Sequence, residues 1–149
     1  VDAVGTCRAA ADQLLEERLV AVDIEGVQLG RAPGKICVVQ IVGAAERTVY
    51  LFDVTVLGDT AFCNGLQELL EDDRVQKVFW DVRSDCDALH HNHNVAVRNA
   101  FDLQVLCQLK FYPQAPYLNS LKKALLAFGK TQLSEAQVER MESEKEAGV

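Results

Sequence analysis

Asp23 and Glu25 stand two residues apart in the run Leu19-Val-Ala-Val-Asp-Ile-Glu-Gly26. In a β-strand that spacing places both carboxylates on one face. Ala21, Val22 and Ile24 around them are apolar, so the run reads as an inner strand. Two carboxylates on an inner strand are costly unless positive charge lies between them. Hard divalent cations suit such a cluster of oxygens; the bland alternative is a solvated strand end. A second acidic group follows in Trp80-Asp81-Val-Arg-Ser-Asp85-Cys-Asp87-Ala-Leu89. A helix starting near Ser84 holds Asp85 in its first turn, where the dipole favours negative charge. By the same logic Asp81, Asp85 or Asp87 could simply cap that helix. Asp85 and Leu89, four residues apart, share the face that packs on a sheet, and Asp87 points away from it. Asp85 is therefore the ligand candidate of this group.

Three further features carry less. Cys86, His90 and His93 fall on one helical face, but they lack the fourth ligand and the spacing of a structural zinc site. The glycines between Gly26 and Gly34 follow no phosphate-loop pattern and suit a hairpin connection. Arg98, Lys110, Lys122, Lys123 and Lys130 face only Asp102 in the interval 97–133, a basic strip that could guide a phosphate backbone or simply solvate helix faces.

These side chains need a scaffold. Residues 6–18 read as an amphipathic helix with Thr6 as its N-cap. Strands follow over 19–25, stopping at Gly26, then over Lys35–Val42 after a turn at Arg31–Gly34, and over Thr48–Phe52. Their short connections imply a meander. A helix capped by Asp59 or Thr60 runs to Leu70, the strand Gln76–Trp80 follows, and the next helix ends at His93. The helix 60–70 serves as the crossover that makes the fourth strand parallel to the first. Residues 95–101 are irregular or a strand; helices are expected over 103–109, 118–128 (stopped by Gly129) and from a capping box at Ser134 and Gln137 onward. The fold class is α/β, a mixed sheet flanked by helices. Residues 1–133 form the main domain and 134–149 a charged helical extension.

The 149 residues are 49% hydrophobic and 25% charged, a globular composition. No apolar run approaches the roughly 20 residues of a membrane span, since Gln40 and Gly43 interrupt the longest. The net charge of −7 opposes duplex binding by counter-ion release alone. Nucleic acid then requires metal ions or a local basic strip. Five cysteines without a CxxC imply reduced thiols in an intracellular compartment. A chain opening on Val1 suggests a piece of a longer protein.

With VAVDIEG and WDVRSDCDAL at this spacing, residues 20–43, 49–71 and 77–106 resemble the ribonuclease D-like 3′–5′ exonuclease domain of the DEDD superfamily, nearest its exonuclease 3′–5′ domain-containing and Egalitarian-like group. The resemblance implies a ribonuclease H-like fold, three antiparallel strands followed by parallel ones. It also implies metal-dependent removal of nucleotides from the 3′ end of single-stranded RNA or DNA, RNA being favoured. Two Mg²⁺ or Mn²⁺ ions would be shared by Asp23, which would bridge both, Glu25, which would also orient the terminal nucleotide, and Asp85, acting through water. The family pattern ends in a Tyr or His a few residues before a final Asp, and no Asp follows Asp102 in this chain. Asp102 itself, in Phe101-Asp-Leu103, matches a step of structural character. The chain alone is accordingly expected to be a weak nuclease. A second reading is a catalytically inactive pseudo-exonuclease that binds RNA or joins a protein assembly, a role the charged segment from Glu135 to Glu146 would suit; neither reading involves a membrane.

Overall fold

β-branched and aliphatic residues at alternate positions dictate the central strands. In β1 (Leu19–Val27), Val20, Val22 and Ile24 are buried, while Ala21, Asp23 and Glu25 between them are exposed. Alternation therefore turns one face of β1 to the core and leaves its chemistry on the other. Strands β2 (Lys35–Gly43) and β3 (Val49–Asp53) complete an antiparallel meander. β4 (Gln76–Phe79) and β5 (Ala100–Asp102) add parallel neighbours, so the sheet runs β3-β2-β1-β4-β5. Leu19 lies beside Gln76, which confirms the parallel pairing expected of a helical crossover. The computed structural model describes residues 1–29, 33–45 and 48–128. The turn at 31–34 falls partly outside them, and the expected stop at Gly129 and the charged extension lie wholly outside.

The chain divides into two compact units, Val1–Leu103 and Gln104–Val149. In the first, helix α1 (Val4–Leu15) buries Cys7, Ala10, Ala11 and Leu14, and Cys7, Ala10 and Leu14 join one core with residues of β1, Ile36, Val39 and Ile41 of β2, and Phe52 of β3. Thr6 does not cap α1; Ala3 holds the N-cap position, and the Thr6 hydroxyl donates to its carbonyl at 2.8 Å.

The single helix expected over 60–70 is broken. Asp53 caps an extra short helix, α2 (Val54–Leu57), by accepting from the Val56 amide. Gly58 then turns the chain into α3 (Asp59–Ala61), and a kinked turn (Phe62–Leu66) leads to α4 (Gln67–Glu71). At the kink Gly65 has φ +109°, and a Cβ there would lie 2.6 Å from the Cβ of Ala11. The break lets α1 approach the crossover closely. Beyond it, the fully buried Lys77 of β4 donates to the carbonyls of Asp72 and Val75 at 2.5 and 2.7 Å, satisfying the chain where α4 ends.

Helix α5 (Val82–His93) starts two residues before Ser84 and ends at Asn94 in the left-handed conformation. Helix α6 (Leu103–Phe111), which begins at the last residue of the first unit, outlasts its expected end. α7 (Leu121–Phe128) starts after Leu118 because the Ser120 hydroxyl accepts from the Lys123 amide at 3.3 Å. Among the described residues no helix is long and apolar enough to cross a membrane.

Candidate active site

Strand β1 sets the floor. Asp23 faces Gln40 across the β1–β2 ladder and Glu25 faces Val38. The Gln40 amide donates to Asp23 Oδ2 at 3.3 Å. Immediately beyond Glu25 the register shifts, so that Gly26 faces Ile36 and Cys37 is the extra residue of a bulge. A side chain on Gly26 would meet the Lys35 carbonyl at 2.2 Å. This close approach lets β1 continue through Gly26 to Val27, past the stop expected from the sequence.

Helix α5 supplies the other wall. Asp85 stands in its first turn, 7% exposed, on the same side as the fully buried Leu89. Burial raises the Asp85 pKa to about 7, and the negative charges of Asp23, Asp81 and Glu25 add to the effect in that order. The three carboxylates chosen from the sequence are thus within electrostatic reach of one another. A fourth acid, Asp81, joins them.

The start of α5 is held from outside the helix. Asp81 occupies the N-cap position in a left-handed conformation, φ 62°, and its side chain caps nothing. Instead the Asp102 carboxylate at the end of β5 accepts from the amides of Asp81 and Val82, both at 3.3 Å. Asp102 is structural here, as its sequence context implied. The Asp81 side chain meets the Arg83 guanidinium in a two-point pair, Nε to Oδ1 at 2.6 Å and Nη2 to Oδ2 at 2.9 Å. This pairing holds the Asp81 carboxyl below its usual pKa. The sequence offered Asp81 only as a cap; its four-residue spacing to Asp85 is the one signal that could have linked them, and it acquires meaning only once the start of α5 is fixed. Gln40 gave none before the strand register was known.

The other candidates separate. Asp87 pairs with His91 at 3.2 Å on the outer side of α5. His93 bonds Asp59 at 2.7 Å and stacks on Phe62, while His90 meets His91 edge-on. The Cys86, His90 and His93 set is therefore not a metal centre. A cleft of about 1000 Å³ between the start of β2, α2 and α5 is lined by Lys35, Thr55, Asp59, Asp87 and His93 among others, and contains none of Asp23, Glu25 and Asp85. Its acids and imidazoles are paired with one another, Asp59 with His93 and Asp87 with His91. Of the basic strip, Arg98 pairs with Asp73 at 3.4 Å; Lys110 and Lys123 lie over the rings of Phe111 and Tyr112; Lys130 is outside the described residues.

The donor set fits a hard divalent cation in kind, because the oxygens are anionic and repel one another in a half-shielded place. As the side chains stand, no three His, Cys, Asp or Glu residues among those described are grouped to hold an ion. Loading such an ion therefore requires the carboxylates to turn toward it.

Comparison with known proteins bears on this arrangement. The family model described as "3'-5' exonuclease" matches residues 2–144. The piRNA biogenesis protein EXD1 of Mus musculus is 41% identical over 103 residues, 69% of this chain and 18% of that protein. The crystal structure of the Trypanosoma brucei RNase D: GMP complex superposes with a TM-score of 0.77 at 30% identity, covering 91% of this chain and 42% of that one. RNase D of the same organism in complex with RNA U12 gives 0.63 at 33% identity, over 70% and 37% of the two chains. This chain thus spans about a fifth of the length of the curated relatives it matches.

Proposed function

Because the chain belongs to the 3′–5′ exonuclease family, we propose that it forms the core of a metal-dependent exonuclease that trims single-stranded RNA from its 3′ end. The carrying observation is the crowding of negative charge on the buried Asp85 by Asp23, Asp81 and Glu25. A cluster of this kind is stable only when protonated or when neutralised by a cation. Asp23, Glu25 and Asp85 would hold Mg²⁺ or Mn²⁺. When bound, the ions supply an activated water and neutralise charge on the scissile phosphate. The residues themselves keep the pieces in place. β1 fixes the two strand carboxylates on one face, Gln40 holds one oxygen of Asp23, and Asp102 fixes the first turn of α5 that carries Asp85. RNA is favoured over DNA by the likeness to an RNase D that has been seen with RNA U12. Five free cysteines support a reducing intracellular compartment.

The test is a 5′-labelled single-stranded RNA under excess protein with Mn²⁺, beside Asp23→Ala. Slow stepwise 3′ shortening that Asp23→Ala abolishes is the expected result. The rate of this chain by itself is expected to be low, because within these 149 residues no Asp follows Asp102 to help hold the attacking water. No shortening by this chain, with shortening by a longer protein that contains it, would place a further ligand outside these 149 residues. RNA binding with no shortening by either would replace this reading with the pseudo-exonuclease one, in which the same face binds RNA and a protein assembly uses it as a module.

A further inference from the structure

An RNA strand that reaches this site meets four carboxylates, and something must offset their repulsion of its phosphates. Arg83 is placed to do so. It sits on the first turn of α5, two residues from Asp85, with its side chain 71% exposed. Its guanidinium presents two distinct two-point edges. The side edge, Nε and Nη2, is taken by Asp81. The end edge, Nη1 with the second N–H of Nη2, makes no hydrogen bond among the described residues, and its geometry matches two oxygens of a phosphate.

The Asp81 pair also freezes the guanidinium. Asp81 is itself held in an uncommon left-handed conformation, its amide bonded to Asp102. A long side chain fixed in this way loses less freedom on binding than a free lysine would. Among the other described arginines of the first unit, Arg8 is committed to Asp12 and Glu68, Arg74 to Asp72 and Arg98 to Asp73, while the exposed Arg18 precedes β1 and lacks a carboxylate partner among the described residues that would fix its guanidinium.

We infer that Arg83 is the phosphate anchor of the site: its free edge grips a phosphodiester of single-stranded RNA while Asp81 holds its other edge. The inference rests on the exonuclease reading for the ligand's class, but its test needs no cleavage. A 5′-fluorescein single-stranded RNA 12-mer is titrated by anisotropy in EDTA with the wild-type chain, Arg83→Gln, Arg83→Lys, the double variant Asp81→Asn/Arg83→Gln, and Arg74→Gln as the matched pair elsewhere.

Arg83→Gln is expected to weaken binding about 10-fold and to flatten the slope of log affinity against log salt by about 0.7, one single-strand phosphate. Arg83→Lys should recover less than half of the loss, since an ammonium cannot serve both partners in plane. The double variant should stay weak. Arg74→Gln should match wild type. Equal affinity and slope for Arg83→Gln and wild type, in a chain that still binds RNA, would overturn the anchor and leave the exonuclease reading intact. So would recovery by the double variant, which would reduce Arg83 to a neutraliser of Asp81. Failure of the wild-type chain to bind RNA at all would sink both.

Discussion

A carboxyl group buried beside three other carboxylates must either keep its proton or gain a cation. Asp85 has its pKa raised to about 7 by burial first and by Asp23, Asp81 and Glu25 next. In the unfolded chain it ionises near its ordinary value of 3.8. Between these limits the folded state holds a proton that the unfolded state has released. Asp85 therefore costs nothing below about pH 4, and its stability penalty grows as the pH rises to about 7 and is complete above it. Without metal, Asp85→Asn should be more stable than wild type at pH 8 by a few kcal/mol, at about 1.4 kcal/mol for each pKa unit. The gap should shrink to about 1 kcal/mol at pH 4.5 and close only below the ordinary carboxyl pKa. Mn²⁺ should raise the melting temperature of wild type at pH 8 and leave Asp85→Asn nearly unmoved. Thermal melts at both pH values check this; a pH-independent gap would remove the charge from the explanation. The type and spacing of Asp23, Glu25 and Asp85 made these residues legible in the sequence. Asp81 and Gln40 were not, since a cross-strand partner and a residue four positions ahead matter only once a register and a helix start are fixed. Those are set by the β1–β2 ladder and by Asp102, which is distant in sequence.

At the scale of elements, the strands were readable because their β-branched runs alternate and their connections are short. The parallel placement of β4 followed from the need for a crossover. The crossover itself was misread as one helix. Its apolar residues Phe62, Leu66, Leu69 and Leu70 do keep helical spacing, and all are buried. What breaks the helix is a contact with α1, which periodicity within one segment cannot show: Gly65 adopts φ +109° where Ala11 presses on it. Gly65→Ala meets both problems together, a backbone conformation that L residues rarely adopt and a Cβ placed 2.6 Å from that of Ala11. It should destabilise the fold by about 2–4 kcal/mol. Adding Ala11→Gly should relieve the clash but not the backbone strain, so the double variant should regain only part of the loss in urea melts. Full recovery would show that the kink follows from packing alone.

For the whole molecule, the question is how a chain of net charge −7 holds a polyanion. A protein that relies on many basic side chains releases many counter-ions and loses affinity steeply with salt, at about 0.7 per phosphate for single strands. Here the described cations of the first unit are mostly spent on neighbouring acids, and the sequence's basic strip is divided between two compact units, with Arg98 already paired. Few phosphates can then be gripped directly. RNA affinity should fall only shallowly with KCl, with a slope between about −0.5 and −1.5, one or two phosphates. Long-range repulsion between the acidic surface and the RNA is relieved by the same salt, which flattens the slope further at low ionic strength. Mg²⁺ should strengthen binding beyond KCl of equal ionic strength, because an ion bound among Asp23, Glu25 and Asp85 turns the most repulsive patch into an attractive one. Anisotropy titrations across 50–400 mM KCl, with and without Mg²⁺, measure both effects. A slope steeper than about −3 would mean four or more phosphates held at once. Affinity would then come from basic side chains such as Lys110 and Lys123 rather than from metal and Arg83.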